Sequence, residues 1–375
     1  MVQEGDGAGI HVVIAGGKTG GHLFPGVAVA EALREMAQGH RVTFVGTEEG
    51  LEARVIPGLG FDLSFVDVQP LKGGSIGGRL KSLSGLPGSA LRARRLLKDL
   101  QPDVVVSVGS FAAGPVTMMA SMMGIPTALM EQNSYPGLTN RLLSRVVDRA
   151  FLTFEDSASQ MSLGDDKVAV VGNPVRRDLL ERARRFEYRS PAEEEDFHIL
   201  IIGGSGGAGS FNEQLPAMFC SLGEAGRGIS VRHQAGHGRA GEAEPGYEDF
   251  EGKVEVLEFI DDMAEAYRWC DLLICRAGAT TIAEVLTLGI PSIMVPFPAA
   301  ADDHQRSNAL SIVEQGAAVM IGDEELNSDR IRNLLNGFRR NPPALVNMAK
   351  QAKSLARPEA AFQIAQQLVE LSQGD

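Results

Sequence analysis

Two glycine-rich turns lie 187 positions apart in this chain: GGKTGGH at 16–22 and GGSGGAGS at 203–210. Each follows a run of β-type residues, 10–15 in the first case and 197–202 in the second. A strand that ends in a glycine-rich turn and opens a helix presents backbone N–H groups to a phosphate. Two such turns predict two nucleotide-fold domains facing one another, with a site in the cleft between them. The length of 375 residues suits two domains better than one core.

The hydrophobic pattern supports that division. Short β-branched runs fall at 10–14, 41–45, 63–68, 103–108, 126–130 and 168–171, with helical patterns such as 23–38, 90–100 and 112–123 between them. Gly172-Asn173-Pro174 breaks the pattern, and residues 181–196 are dense in charge and read as a surface connection. Strand signals resume at 198–202, 229–233, 254–257, 272–275 and 291–295, with helices expected at 210–222, 279–288, 304–314 and 328–336. The fold class is therefore α/β: two Rossmann-like, doubly wound parallel-sheet domains. The boundaries predicted are 1–174 and 175–357. A last helix after Pro358 carries Ala361, Ile364, Ala365, Leu368 and Leu371 on one face. It can pack on either domain, and residues 358–375 returning to the first is one arrangement.

Charge excludes some functions. The net charge of −13 argues against a nucleic-acid partner. The charge is uneven: residues 1–174 carry 15 Lys+Arg against 17 Asp+Glu, whereas 175–375 carry 20 against 31. Cys220, Cys270 and Cys275 make no metal or redox spacing and read as small buried hydrophobes in a reducing cytoplasm. The N-terminal residues MVQEGDGAGI lack the pattern of a signal peptide, and no apolar run approaches a membrane span. Membrane contact would thus be peripheral. One stretch favours it. Between Asp67 and Asp99 there is no acidic residue, but there are Lys72, Arg79, Lys81, Arg92, Arg94, Arg95 and Lys98, interleaved with leucines including Leu83 and Leu86. Such a segment reads as attraction to anionic lipid, or as an ordinary solvated amphipathic helix.

Several motifs point to chemistry. Gly17-Lys18 invites a P-loop reading, but that motif needs glycine at position 12, which is Val12. What remains is a turn that lets a ligand approach the backbone, with His22 at the helix entrance. The positive end of the helix there favours a neutral imidazole able to accept a proton. Glu131, Asn133 and Asn140 follow a strand's carboxyl end, where ligands of open α/β sheets bind; turn formation by Asn and Pro-Gly is the plainer account. The second turn can set Ser205 and backbone N–H groups at a helix N-terminus, a site for a diphosphate. After the strand at 272–275, Arg276 and 277–279 would form another turn. Glu284 would sit early in the next helix, placed either to bind a ribose diol or to stabilise the helix terminus. Asp302-Asp303-His304 is poorly arranged for a metal, because adjacent side chains diverge. Gln305 is better used on a sugar hydroxyl.

Taken in order, the strings AGGKTGGHLFPGVAVA, EQNSYPGLTNR, VVGNPVR, GGSGGAGS, EFIDDMAEAY, CRAGATTIAEV and DDHQRSNA resemble the bacterial MurG-type undecaprenyl-diphospho-muramoylpentapeptide β-N-acetylglucosaminyltransferases. The resemblance spans 12–310. It implies the two-domain GT-B fold and inverting transfer of N-acetylglucosamine from UDP-GlcNAc to O4 of the muramoyl sugar of lipid I, giving lipid II. It further implies that Ser205 and its turn hold the donor diphosphate, that Ile260 meets the uracil, and that Glu284 meets the ribose. Ala279, Thr280, Thr281 and Gln305 would contact the transferred sugar, and Arg176 would be a donor contact at the domain junction. Thr19, Gly20, Gly21 and Asn133 would reach the leaving phosphate from the first domain, with His22, Glu131 and Asn140 on the acceptor side. His22 is the expected base and Glu131 its competitor. Helix N-termini and Arg176 would hold the diphosphate, so no metal or other cofactor is expected. The basic stretch matches the family's docking region, placing the protein peripherally on the cytoplasmic face of the bacterial cell membrane, near proteins of cell-wall synthesis and division. Two positions depart from the family pattern: Gly206, often Gln, and Met130, often His. The same fold leaves open a glycolipid synthase, a UDP-sugar epimerase, a non-catalytic UDP-sugar-binding regulator, or a membrane scaffold for division proteins.

Overall fold

The computed structural model describes residues 9–66, 76–192, 195–204 and 206–374; the side chains of 76–87 and of residue 301 are outside that description. The chain divides into two compact units, Met1–Arg176 with Arg357–Asp375, and Arg177–Ala356.

The first unit is built on seven parallel strands: β1 (His11–Ala15), β2 (Arg41–Gly46), β3 (Asp62–Phe65), β4 (Val104–Ser107), β5 (Thr127–Glu131), β6 (Arg149–Leu152) and β7 (Val168–Val170). They lie in the order β3-β2-β1-β4-β5-β6-β7. The central strands are apolar on both sides because both faces are covered. Val12 and Ile14 of β1 pack with Leu23 and Val27 of the helix Gly20–Met36. Val13 and Ala15 face the other way, onto Ala113 and Val116 of the helix Ala113–Met122 and Leu97 of the helix Ile76–Leu100. The C-terminal helix, Ala360–Gln373, lies on the first of these faces, with Ile364, Ala365 and Leu368 buried in the same cluster as Leu23. β6 has no counterpart among the sequence-predicted strands. It is four residues long, follows Asp148 and opens on Arg149, so it carries little pattern of its own; its pairing with β5 and β7 makes it a strand.

The second unit repeats the plan with six parallel strands: β8 (Phe197–Ile202), β9 (Ile229–Gln234), β10 (Lys253–Leu257), β11 (Leu272–Cys275), β12 (Ser292–Met294) and β13 (Val319–Met320). Their order is β10-β9-β8-β11-β12-β13. β13, two residues long, also escaped the sequence pattern. The charged segment at 181–196 is not wholly a loop, since the helix Arg177–Ala183 enters it and buries Leu179 and Ala183. Cys270 and Cys275 are buried, and burial pushes both thiols up, out of reactive range.

In both sheets the strand order reverses direction beside the first strand of the unit: between β1 and β4, and between β8 and β11. Loops leaving the carboxyl ends of those strands diverge and open a crevice, where ligands of doubly wound sheets bind. The two glycine-rich turns follow β1 and β8. Each therefore lies at a switch point.

Candidate active site

In the first unit the turn is shorter than its sequence suggests. Thr19 is the extended N-cap, and Gly20, Gly21 and His22 already belong to the helix Gly20–Met36. Thr19 and Gly21 are exposed. They lie at a helix N-terminus, where the His22 N–H donates to the Thr19 carbonyl at 3.2 Å.

His22 is partly buried and sits against the loop that follows β4. A Cβ on Gly109 would lie 2.8 Å from His22 Nδ1, and Gly109 has φ 94°, so the close approach of the ring depends on glycine there. From the loop after β5, Gln132 brings its Oε1 to 3.1 Å from His22 Nδ1. Gln132 is buried and had not been singled out from the sequence. Only the adjacency of β1, β4 and β5 brings it to His22, 110 positions away.

Glu131, also expected here, is used differently. One carboxylate oxygen accepts from the Asn133 N–H at 2.9 Å and from Asn133 Nδ2 at 3.4 Å. The other accepts from the Gly137 N–H at 3.1 Å and Asn140 Nδ2 at 2.9 Å. Asn140 Nδ2 also donates to the Met130 carbonyl at 3.0 Å. Glu131, Asn133 and Asn140 thus form one knot that shapes 131–140, with the Glu131 carboxylate 2% exposed. The buried Asn140 Oδ1 has no partner among the described residues.

In the second unit the glycine turn is interlocked with the loop after β9. Gly207 has φ 71°, and a Cβ there would overlap the Ala235 carbonyl. Arg239 Nη1 donates to the Gly206 carbonyl at 3.2 Å, and Glu242 accepts from both Arg239 and Asn212. The turn feeds the helix Gly209–Cys220. Ser205 lies outside the described residues. Beside the turn, Arg276 is buried and forms a dense junction. Its Nη1 donates to Asp323 Oδ1 at 2.6 Å and to the Val295 and Pro296 carbonyls at 3.1 Å. Its Nη2 donates to Ser210 Oγ at 2.5 Å. The guanidinium also lies over the rings of Phe211 and Phe297, at 4.4 and 5.5 Å. Arg276 therefore joins the first turn of the helix Gly209–Cys220 to the ends of β11 and β12.

Ala279, Thr280, Thr281 and Glu284 lie on the helix Ala279–Leu288, which starts after Gly278. Glu284 is buried, and its Oε2 accepts a hydrogen bond from the Tyr267 hydroxyl at 2.8 Å. Burial raises the pKa of that hydroxyl, which stays a donor. Gln305 lies just past Asp302 and Asp303, both with φ 52°. Its Oε1 accepts from the Phe297 N–H at 2.9 Å, so its amide NH2 is the remaining donor group. Ile260 is partly buried in the segment after β10. Arg176 belongs to the first unit and lies over the Phe24 ring at 5.0 Å. A depression of about 1340 Å³, lined in part by Arg185, Tyr188, His198 and Trp269, lies at the opposite, amino-terminal ends of β8 and β11. It is distinct from the glycine-turn site.

Of the expected lipid-facing residues, Arg92 is exposed on the helix Ile76–Leu100. Lys72, and the side chains of Arg79, Lys81, Leu83 and Leu86, are outside the described residues. No helix among the described residues is long and apolar enough to cross a membrane.

Residues 12–152 match the glycosyltransferase family 28 N-terminal domain, and 198–364 match the family 28 C-terminal domain. The chain is 43% identical over 360 residues to the Myxococcus xanthus UDP-N-acetylglucosamine–N-acetylmuramyl-(pentapeptide) pyrophosphoryl-undecaprenol N-acetylglucosamine transferase, covering 96% of this chain and 92% of the relative. It is 40% identical to the enzyme of that name from Geobacter sulfurreducens, covering 96% and 98%. The crystal structure of Acinetobacter baumannii MurG superposes with a TM-score of 0.77 at 30% identity, over 96% of this chain and 99% of that one. A UDP-GlcNAc 2-epimerase from Neisseria meningitidis shares the fold at 14% identity, with a TM-score of 0.69 over 96% and 99%. The chain belongs to the family of UDP-N-acetylglucosamine–N-acetylmuramyl-(pentapeptide) pyrophosphoryl-undecaprenol N-acetylglucosamine transferases.

Proposed function

We propose that this protein moves N-acetylglucosamine from UDP-GlcNAc to O4 of the muramoyl sugar of lipid I, giving lipid II, with inversion at the anomeric carbon. The acceptor O4 attacks C1 of the donor sugar, its proton passes to a base, and the bond from C1 to the diphosphate breaks, releasing UDP. Such a step needs a positioned base and groups that stabilise the departing diphosphate.

The base is assigned to His22. The observation that carries this is a contrast: His22 offers an imidazole at the β1 switch point, whereas both oxygens of its rival Glu131 are engaged by the 131–140 loop. Glu131 is then an organiser of the acceptor loop. Asn140 Oδ1, without a partner among the described residues, is an acceptor for a substrate donor. The donor is assigned to the second unit. The turn before Gly209, with Ser205, takes the diphosphate. Glu284 takes the ribose and Ile260 the base. Ala279, Thr280, Thr281 and Gln305 take the transferred sugar. Arg176, Thr19, Gly20, Gly21 and Asn133 are assigned to the leaving phosphates. Membrane attachment is assigned to the basic stretch from Lys72 to Lys98, at the cytoplasmic face of the cell membrane, with cell-wall and division proteins as neighbours. Each such basic residue contributes about 1 kcal/mol near an anionic surface.

His22→Ala tests the central assignment. We expect kcat to fall by about 10²–10⁴-fold while UDP-GlcNAc affinity stays near wild type. Unchanged kcat would remove His22 from the role. Radiolabelled UDP-GlcNAc offered with lipid I or with diacylglycerol separates this activity from a glycolipid synthase. Donor binding without turnover on any acceptor would mark a regulator instead.

A further inference from the structure

The contacts of Gln132 bear on which nitrogen of His22 carries a proton. Gln132 Nε2 is 3.2 Å from the carbonyl oxygen of Val108. A carbonyl only accepts, so this end of the amide must be the NH2 group, and the opposite end must be oxygen. That oxygen is 3.1 Å from His22 Nδ1. An amide oxygen also only accepts, so Nδ1 must be the donor. In a neutral imidazole the lone pair is then on Nε2. Val108 is buried and its N–H donates to the Ala15 carbonyl at 2.9 Å, fastening it to the end of β1. Gly109, next in the chain, leaves the room the ring occupies.

We infer that Gln132 is a positioning residue: it holds His22 in the Nδ1–H tautomer and so presents Nε2 as the atom that takes the acceptor's proton. The catalytic half of this inference rests on reading His22 as the base; the tautomer half does not. A backbone carbonyl fixes the amide, the amide fixes the imidazole, and the helix Gly20–Met36 carries the ring. No charged group is required in this relay, unlike one in which a carboxylate orients the histidine.

The test uses the full-length protein with ¹⁵N-labelled histidine at about pH 8.5, above the ordinary imidazole range. Two-bond ¹H–¹⁵N spectra report the tautomer, and His22→Ala identifies the His22 signals. We expect Nδ1–H in the wild type. In Gln132→Met, which keeps the volume without the amide, we expect Nε2–H to gain population. Its kcat should fall about 10–100-fold, less than the roughly 10⁴-fold lost when the orienting group of a Ser-His-Asp triad enforces the wrong tautomer. Its KM for UDP-GlcNAc should stay within about twofold. Gln132→Glu keeps an acceptor opposite Nδ1 but sets its second oxygen against the Val108 carbonyl, so it should retain Nδ1–H at some cost in stability. A wild-type Nε2–H pattern, or a tautomer unmoved in Gln132→Met, overturns the inference. Nδ1–H in the wild type together with full activity of His22→Ala leaves the tautomer control standing and removes the base assignment.

Discussion

Removing the carboxylate of Glu52 should destabilise the first unit and slow turnover together, because that side chain anchors the first glycine loop from below. Glu52 is 1% exposed. Its Oε2 accepts from the Lys18 N–H at 2.6 Å, and its Oε1 from the Thr47 N–H at 2.8 Å and the Thr47 hydroxyl at 3.2 Å. Lys18 has φ 74°, a conformation that lysine adopts at a cost, so its amide contact helps to hold the loop in shape. Glu52→Ala leaves two backbone donors without their acceptor, at about 1–3 kcal/mol each. Lys18 is exposed and Thr47 half-buried, so water recovers part of this. The lower range, about 2–3 kcal/mol in total, is therefore expected. Glu52→Gln keeps an oxygen for Thr47 but sets an NH2 against the Lys18 N–H, costing about half as much. At about 2–4 °C per kcal/mol for a unit of this size, Glu52→Ala should lower the first calorimetric Tm by about 4–12 °C. A Cβ on Gly50 would overlap the Glu52 carboxyl, so Gly50→Ala should act the same way with the carboxylate intact. UDP binding, assigned to the second unit, should be unaffected. A Glu52→Ala protein melting within about 1 °C of wild type, with unchanged kcat, would refute this reasoning.

Tyr267→Phe removes the hydroxyl that orients the Glu284 carboxylate and should weaken UDP binding about 3–10-fold by calorimetry, the range of one hydrogen bond; an unchanged Kd would separate Tyr267 from the ribose site. His233 is fully buried against Tyr247, and burial lowers its pKa to about 4 from 6.5. Between these values the unfolded chain binds a proton that the folded chain does not. The stability contribution is therefore complete above pH 6.5 and is lost as pH falls toward 4. From pH 7 to 5 the loss is about 2 kcal/mol in urea unfolding, and His233→Asn should flatten that dependence; a stability gain toward pH 5 removed by the same variant would contradict the assignment.

Much of the fold is written locally. β1 and β8 announce themselves by apolar runs that end in glycine, and the helices that follow alternate with further strands in the order a parallel sheet requires. β6 and β13 escaped because four-residue and two-residue segments carry almost no periodicity, and neighbouring strands define them. The C-terminal helix showed its apolar face in sequence, since Ile364 and Leu368 are helix neighbours. Its partner, the cluster around Leu23, is more than 300 residues away, beyond anything a local pattern can encode.

The site divides along the same line. The sequence was enough to find the two glycine turns, His22, the Glu131 loop and the Glu284 helix, because each is a short string whose residue types suit a strand's carboxyl end. What each of them touches depends on the fold. Placing β4 beside β1, and β5 beside β4, sets Gln132 against His22, and placing β2 on the other side sets Glu52 beneath Lys18. It also closes the Arg276–Asp323 pair behind the second turn. Hydrogen bonds act over about 3 Å, and sequence separations of 34, 110 or 47 positions carry no trace of them. The two glycine turns look equivalent as strings. The side chains that strand order brings beneath and beside them make one the support of a histidine and lock the other against the loop after β9.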